Sequence, residues 1–414
     1  MRSFKDYTDY LFNIAPLFQN IGKDAYKGGL DTTTRLDSYF HHPHTQFKSI
    51  HIAGTNGKGS CSHTIASVLQ QAGYKVGLYT SPHLLSFTER IRVNGKAIEE
   101  EYVMDFIDAN KDLIESLHPS FFEITTALAF RYFADKEIDI AVVEVGLGGR
   151  LDCTNIITPI LSIITNISKD HVQFLGDTLG KIAWEKAGIM KRGIDCVIGE
   201  TTNETLPVFE NHAKEVGTNL IFTTDDQPYP DKDYSQIFEL KGLYQKKNLA
   251  TILTALNELQ KKGLIISDND IVSGLSHVIE NTRLRGRWEK IQDNPTIICD
   301  TGHNIGGFKY ISEQLMQQKC KALRIVIGMV NDKDVSGVLA LFPKEATYYF
   351  CQASVKRALS ASELKEIAQR FHLHGNAYTN VMTAVDKAKE DADRQDFIFV
   401  GGSTFVVADF LRFL

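Results

Sequence analysis

The segment His51-Ile52-Ala53-Gly54-Thr55-Asn56-Gly57-Lys58-Gly59-Ser60 constrains this chain more than any other. An apolar run ending near Ile52 reads as a strand, and from Cys61 to Ala72 the apolar spacing becomes helical. Between the two stand Gly54, Gly57 and Gly59, with Lys58 and Ser60 among them. Small residues let backbone N–H groups close around phosphate oxygens, and the new helix directs its positive end at them. In that layout Lys58 meets the β/γ-phosphates and the Ser60 hydroxyl meets Mg²⁺. The match to G-x-x-x-x-G-K-[ST] is incomplete, because position 52 is Ile and Gly59 separates Lys58 from Ser60. A plain glycine turn is the alternative. A lysine at a loop apex directly before a helix has no packing use, so the phosphate reading prevails.

Composition narrows the class. The chain of 414 residues has room for two or three domains, and 43% hydrophobic with 23% charged residues is ordinary for a soluble globular protein. A net charge of −6 argues against nucleic-acid binding, which brings a basic excess. No apolar run approaches a membrane span, and Met1-Arg2-Ser3-Phe4-Lys5-Asp6-Tyr7 lacks the apolar core of a signal peptide. Cys61, Cys153, Cys196, Cys299, Cys320 and Cys351 form no C-x-x-C pair, so reduced thiols in a cytoplasmic enzyme are expected rather than a disulfide frame or zinc site.

Strands and helices alternate along the chain. Near-continuous apolar runs at Ile138–Val145, Pro159–Asn166 and Cys196–Ile198, with a shorter strand at Lys75–Thr80, predict a parallel sheet covered on both faces. Helical spacing covers Asp6–Phe12, Leu30–Phe40, Glu99–Leu117, Phe121–Phe133, Gln245–Lys261 and Asp268–Ile279. Asp225–Asp231 reads as a loop, Gln236–Leu240 as an added strand, and the polar, arginine-rich stretch Asn281–Pro295 as a linker. From Thr296 a second rhythm begins, with strands at 296–300, 323–330, 347–352 and 397–400 between helices near 304–317, 360–371, 381–391 and 404–413. The expected fold is α/β: a P-loop ATPase-type doubly wound domain over 1–283 and a smaller Rossmann-like domain over 284–414.

Ligands in open α/β sheets gather beyond the carboxyl ends of the strands. Glu144 is the lone charge in the second half of its apolar strand, and a buried carboxylate needs a metal or a partner; an ion pair with Arg150 is the alternative. His171 follows the strand ending at Asn166, and Ser81 adds a hydroxyl oxygen. Ser60, Ser81, Glu144 and His171 together make a candidate set for one or two Mg²⁺. Lys186 lies beside Trp184, Ala187 and Ile189, where burial would lower its pKa and make it nucleophilic, including toward CO₂. A snorkelling surface lysine is the reading that spacing alone favours. In the second domain Asp300 and His303 end a strand, while Asn304 has the position of a helix cap.

Together, Gly29-Leu30-Asp31, His51–Ser60, Thr80–Leu84, Glu89-Arg90-Ile91, Phe121-Phe122-Glu123, Glu144–Asn155, Asp170-His171, Glu185–Ile189, Gly286-Arg287, Asp300–Asn304, Asp332-Lys333-Asp334 and Gly402-Ser403 form an ordered set. In their order and spacing they closely resemble the folylpolyglutamate synthase / dihydrofolate synthase family, cousins of the Mur peptide ligases. The resemblance implies that Gly54, Thr55, Asn56, Gly57, Lys58, Gly59 and Ser60 hold ATP, with Asn248, Arg287, Asp300 and His303 also against the nucleotide. It implies Mg²⁺ on Ser60, Ser81, Glu144 and His171, a carbamylated Lys186 supporting that site, and a monovalent cation as a further ion. Lys58, Glu144, His171 and Lys186 are thereby the expected catalytic set, and Phe122 and Asp152 line the pterin pocket. Three departures stand out: Asp300-Thr301-Gly302-His303-Asn304-Ile305 replaces the usual Asp-Gly-Ala-His-Asn-Pro, Arg285-Gly286-Arg287 lacks a preceding Pro, and Cys153 stands where Ala is common.

The implied reaction is ATP-driven amide formation, in which the carboxylate of dihydropteroate or of a reduced folate becomes an acyl phosphate that L-glutamate displaces. The partners are then small molecules, with no nucleic acid and no membrane, acting on a monomer. Two rivals remain. A Mur-type ligase of peptidoglycan synthesis shares the loop and the modified lysine, but the fifty residues before the loop are too few for a UDP-binding domain. A nucleotide-binding switch without ligase activity has no use for Asp300, His303 or Lys186.

Overall fold

A computed structural model describes residues 3–14, 29–223, 233–331 and 333–414. The expected loop at Asp225–Asp231 and Asp332 lie outside the described residues. The chain folds as two units: residues 1–239 with 247–283, and residues 240–246 with 284–414. The short segment 240–246 thus belongs with the second unit, an excursion the sequence did not signal.

In the first unit the strands are β1 (Lys48–Ala53), β2 (Val76–Tyr79), β3 (Ile91–Val93), β4 (Lys96–Ala97), β5 (Ile140–Glu144), β6 (Leu161–Ile164), β7 (Cys196–Ile198) and β8 (Leu220–Phe222). They form one sheet in the order β4-β3-β2-β5-β1-β6-β7-β8. All pairings are parallel except the β2/β3/β4 edge. β1 is flanked by β5 and β6, so its carboxyl end opens where the chain switches sides of the sheet, the place such folds reserve for ligands. β5 and β6 are buried along their whole length, which is why their sequences are apolar without alternation. One face packs Tyr79, Phe87, Phe121, Phe130 and Phe133 into a core; the other packs Ala53, Ile164, Ala183, Ile198 and Phe209.

The second unit holds β9 (Glu289–Asp293), β10 (Thr296–Asp300), β11 (Leu323–Ile327), β12 (Thr347–Phe350), β13 (Gly375–Ala377) and β14 (Phe397–Gly401) in the order β13-β12-β11-β14-β10-β9. Of these strands, β9 alone runs antiparallel. The core of this unit includes Phe308, Ile325, Tyr348, Phe350 and Phe399.

Several expectations need correction. Asn281–Pro295 is not a linker throughout, since β9 lies within it; as a half-exposed edge strand it shows no apolar run. Gln236–Leu240 is not a strand. There Phe238 N–H donates to Tyr234 O, Glu239 N–H donates to Leu275 O, and Glu239 Oε2 accepts from Ile279 N–H. The helix expected over 99–117 is two, Glu100–Ala109 and Lys111–Leu117, broken where the Asn110 side chain bonds back to Phe106 O. Asp268–Ile279 likewise divides at His277. No helix among the described residues is long and apolar enough to cross a membrane, and the six cysteines are free.

Candidate functional site

The loop after β1 turns on two glycines whose backbone conformations residues with side chains rarely adopt. Gly54 has φ +146°, and a Cβ there would stand 1.9 Å from Thr165 Oγ1; Gly57 has φ +85°, and its Cβ would stand 2.2 Å from Asn248 Oδ1. The helix Lys58–Gln71 then starts with Gly57 as its N-cap, its first N–H groups turned to the loop. Asn248 therefore lies directly against the loop, from the helix Gln245–Lys261.

Residues after β6 brace the other side. Asn56 N–H donates to Asn166 Oδ1 (3.0 Å), Asn56 Nδ2 to Ser168 Oγ (3.1 Å), and Thr165 Oγ1 to Asn56 O (2.6 Å). Thr55 Oγ1 donates to Ser168 O (3.1 Å). Sequence reasoning gave Thr165, Asn166 and Ser168 no role. Their position at the carboxyl end of an apolar strand was the available signal.

Both candidate lysines converge on one carbonyl. Lys58 Nζ donates to Gly54 O (2.9 Å) and Thr55 O (3.1 Å), and Lys186 Nζ donates to Gly54 O (2.9 Å). Lys186 is not a surface lysine: it is 4% exposed, on the buried face of the helix Leu179–Ala187. Burial first, then the Lys58 charge, bring its pKa down to about 7, against the opposing pull of Asp170, Asp152 and Glu185.

Glu144 ends β5 in register with Ile52 and is buried, with Oε2 accepting from Ser81 N–H at 3.3 Å. Arg150 is not its partner. Its guanidinium pairs with Glu185 (2.9 Å) and stacks 4.6 Å over Trp184, which removes the ion-pair alternative for Glu144. Ser60 is buried in the first turn of its helix. His171 heads the short helix Val172–Leu175 with φ +48°, its N–H on Asp170 Oδ1. Among the described residues no group of three or more His, Cys, Asp and Glu side chains could by itself hold a metal ion.

Phe122 rests against Gly146 and lies 5.9 Å from the Tyr79 ring. Asp152 is buried and spends its oxygens on its own loop, accepting from Leu147 N–H (2.8 Å), Thr154 N–H (3.0 Å) and Thr154 Oγ1 (2.5 Å). Thr154 Oγ1 also meets His51 Nε2 at 2.8 Å, tying this loop to β1.

The second-unit candidates gather at the carboxyl end of β10. Asp300 is buried and accepts from Tyr244 Oη (2.6 Å), Trp288 N–H (2.7 Å) and Gly302 N–H (2.8 Å), an organising role the sequence did not reveal. Arg287 donates to Thr301 Oγ1, His303 Nδ1 lies 3.1 Å from Thr301 O, and Asn304 caps the helix Ile305–Met316 by accepting from Gly307 N–H.

Comparison with known proteins identifies the family. The Mur ligase middle domain family matches residues 52–260, and the Mur ligase glutamate ligase domain family matches residues 286–404. The dihydrofolate synthase/folylpolyglutamate synthase of Bacillus subtilis (strain 168) is 32% identical, over 94% of this chain and 95% of its own. The structure of E. coli FolC in complex with DHPP and ADP superposes with a TM-score of 0.82 at 29% identity, covering 100% of this chain and 97% of that one. A bifunctional folylpolyglutamate synthase/dihydrofolate synthase with Mn, AMPPNP and L-glutamate bound gives a TM-score of 0.82 at 29% identity, over 100% and 98%. The chain belongs to the folylpolyglutamate synthase / dihydrofolate synthase family of ligases, within the Mur ligase group.

Proposed function

We propose that this chain is an ATP- and Mg²⁺-dependent ligase that joins L-glutamate to dihydropteroate and to the γ-carboxyl of reduced folates. The observation that carries this reading is the convergence of Lys58 and Lys186 on the Gly54 carbonyl, beside a buried Glu144 bonded to Ser81. Full-length similarity to synthases of both names supports the two acceptors.

The residues suit the proposed cofactors. The loop has no room for side chains at Gly54 and Gly57, leaving its backbone open to phosphate. Ser60, Ser81 and Glu144 are hard oxygen donors, and Mg²⁺ characteristically takes one or two carboxylates and completes its shell with phosphate and water. That composition fits the absence of a three-residue His/Cys/Asp/Glu cluster among the described residues. Ser60, Ser81, Glu144 and His171 would hold the ion, which when bound draws charge from the phosphate oxygens.

Lys58 swings from its loop carbonyls to the γ-phosphate and offsets charge there as the acceptor carboxylate attacks. ADP leaves, and an acyl phosphate remains. The amine of L-glutamate then displaces phosphate, forming the amide and releasing a proton. The loop N–H groups keep the leaving phosphates oriented throughout. Lys186 in its carbamylated form adds a second carboxylate beside Gly54, a reading supported by its lowered pKa. A monovalent cation completes the proposed set. Asn248, Arg287, Asp300 and His303 position the nucleotide, while Phe122 and Asp152 hold the pterin. The proposal includes a monomer, and the free thiols suit a cytoplasmic setting.

The test is phosphate release from Mg-ATP with L-glutamate, using dihydropteroate, tetrahydrofolate or a UDP-muramoyl peptide as acceptor. Release with both pterins is the expected result, and Lys58→Ala and Glu144→Ala each abolish it while the fold remains. Release with the UDP-sugar alone, or near-normal turnover by either variant, overturns the assignment.

A further inference from the structure

Arg90 is a buried cation that no carboxylate among the described residues pairs with. It closes the helical turn Phe87–Arg90 just before β3, where its carbonyl accepts from Thr80 N–H (3.0 Å), one residue from Ser81. Only 2% of its surface is exposed. Its Nε donates to His83 Nδ1 at 2.8 Å, and its guanidinium carbon stands 5.1 Å over the Phe121 ring. The nearest acid in sequence, Glu89, is occupied by the N–H groups of Leu84 (2.8 Å), Leu85 (2.9 Å) and Ser86 (2.8 Å). The next arginine along the chain, Arg92, instead spends its donors on the carbonyls of Thr282 and Glu89.

A desolvated guanidinium is costly unless an anion meets it. Burial lowers the pKa of Arg90 to about 10, which still leaves it charged at neutral pH. Tyr79, then Glu89 and Glu144, oppose that lowering. The Arg90 carbonyl is bonded to Thr80, directly after β2 and directly before Ser81, whose N–H donates to Glu144 at the end of β5, and the Arg90 guanidinium lies over Phe121, the chain neighbour of Phe122. An acceptor whose ring system lies at Phe122 and whose reacting carboxylate must reach the metal and γ-phosphate would pass through this place.

We propose that Arg90 is the anion subsite for the reacting carboxylate of the acceptor, its two terminal nitrogens gripping the carboxylate oxygens while His83 and the Phe121 ring fix the plane of the guanidinium. This rests on the ligase reading. A planar fork on a planar carboxylate sets the orientation of the attacking oxygen, which lysine could not do. The same donors face the acyl oxygen when the tetrahedral intermediate develops charge there.

The experiment measures binding, in the presence of Mg-ADP, of a pterin bearing a benzoate and of the same pterin bearing the benzamide. Wild type is expected to favour the benzoate by roughly 10- to 150-fold, the range for a hydrogen bond to a charged group. Arg90→Gln removes that preference and leaves benzamide affinity unchanged; Arg90→Lys keeps part of it. Equal weakening of both ligands in Arg90→Gln means a structural role only and overturns the proposal. Should Arg90→Gln fail to fold, Arg90→Lys and the wild-type preference decide, and equal affinity of wild type for the two ligands overturns the proposal without any variant. Wild-type phosphate release is measured alongside. Release without a carboxylate preference overturns the Arg90 subsite alone, whereas neither release nor pterin binding overturns the ligase reading and the subsite with it.

Discussion

Lys186 offers the sharpest test of the site's electrostatics. Its amine is buried, bonded to Gly54 O, and shares that carbonyl with the Lys58 ammonium. Placed at about 7, its pKa leaves about three-quarters of the amine neutral at pH 7.5, against roughly one part in a thousand for a lysine with an ordinary pKa. Free amine is what CO₂ requires: the nitrogen lone pair forms the N–C bond, one N–H proton goes to solvent, and a carbamate anion results. With ¹³C-bicarbonate, wild type should show a protein carbamate resonance that is missing in Lys186→Ala and fades as pH falls below about 7. Bicarbonate-dependent activity should follow the same profile. The lowered pKa also has a folding consequence in CO₂-free buffer. Between about 7 and the usual lysine value the unfolded chain binds the extra proton, so stability rises with pH there, by at most about 1.4 kcal/mol per unit from this group. Lys186→Met should flatten that rise in urea titrations. An amine titrating at the ordinary lysine pKa, or a carbamate signal that persists in Lys186→Ala, would refute the reasoning.

Gly57→Ala forces a Cβ onto Asn248 Oδ1 at a left-handed backbone position, so urea melts should show a loss of about 1–2 kcal/mol from the backbone alone. Calorimetry should show weaker ADP binding, and unchanged stability with unchanged affinity would contradict the loop geometry. Tyr244→Phe removes the donor on Asp300 Oδ2 and leaves a buried carboxylate with one bond fewer, a loss of about 1–3 kcal/mol. A variant as stable as wild type would show that Tyr244 does not hold Asp300.

The elements legible in the sequence were those whose signal is local. β1, β5, β6 and β14 are buried nearly end to end and therefore read as apolar runs. The half-exposed edge strands β9 and β13 carry no such run, whereas β8, Leu220-Ile221-Phe222, is apolar but only three residues long. The β3–β4 hairpin did have a signal: Asn94 and Gly95, both at positive φ, make the two-residue turn that such a hairpin prefers. Within the site, the glycine loop, Glu144 and the strand-end histidines stood out by residue type and position alone. The bracing of the loop by Thr165, Asn166 and Ser168 did not, because a hydroxyl or amide near a strand end has many possible partners.

By itself the sequence determined the α/β class, the phosphate-type loop and the family, since steric limits on glycine and runs of buried side chains are written in consecutive residues. Only the tertiary structure decided which charges meet. It paired Arg150 with Glu185 and set Glu144 against the Ser81 N–H. It brought Lys186 to Gly54 across 132 residues of chain, and it buried Arg90 with no carboxylate partner among the described residues. Charge energetics depend on distance and desolvation in three dimensions, and neither can be read from the order of residues.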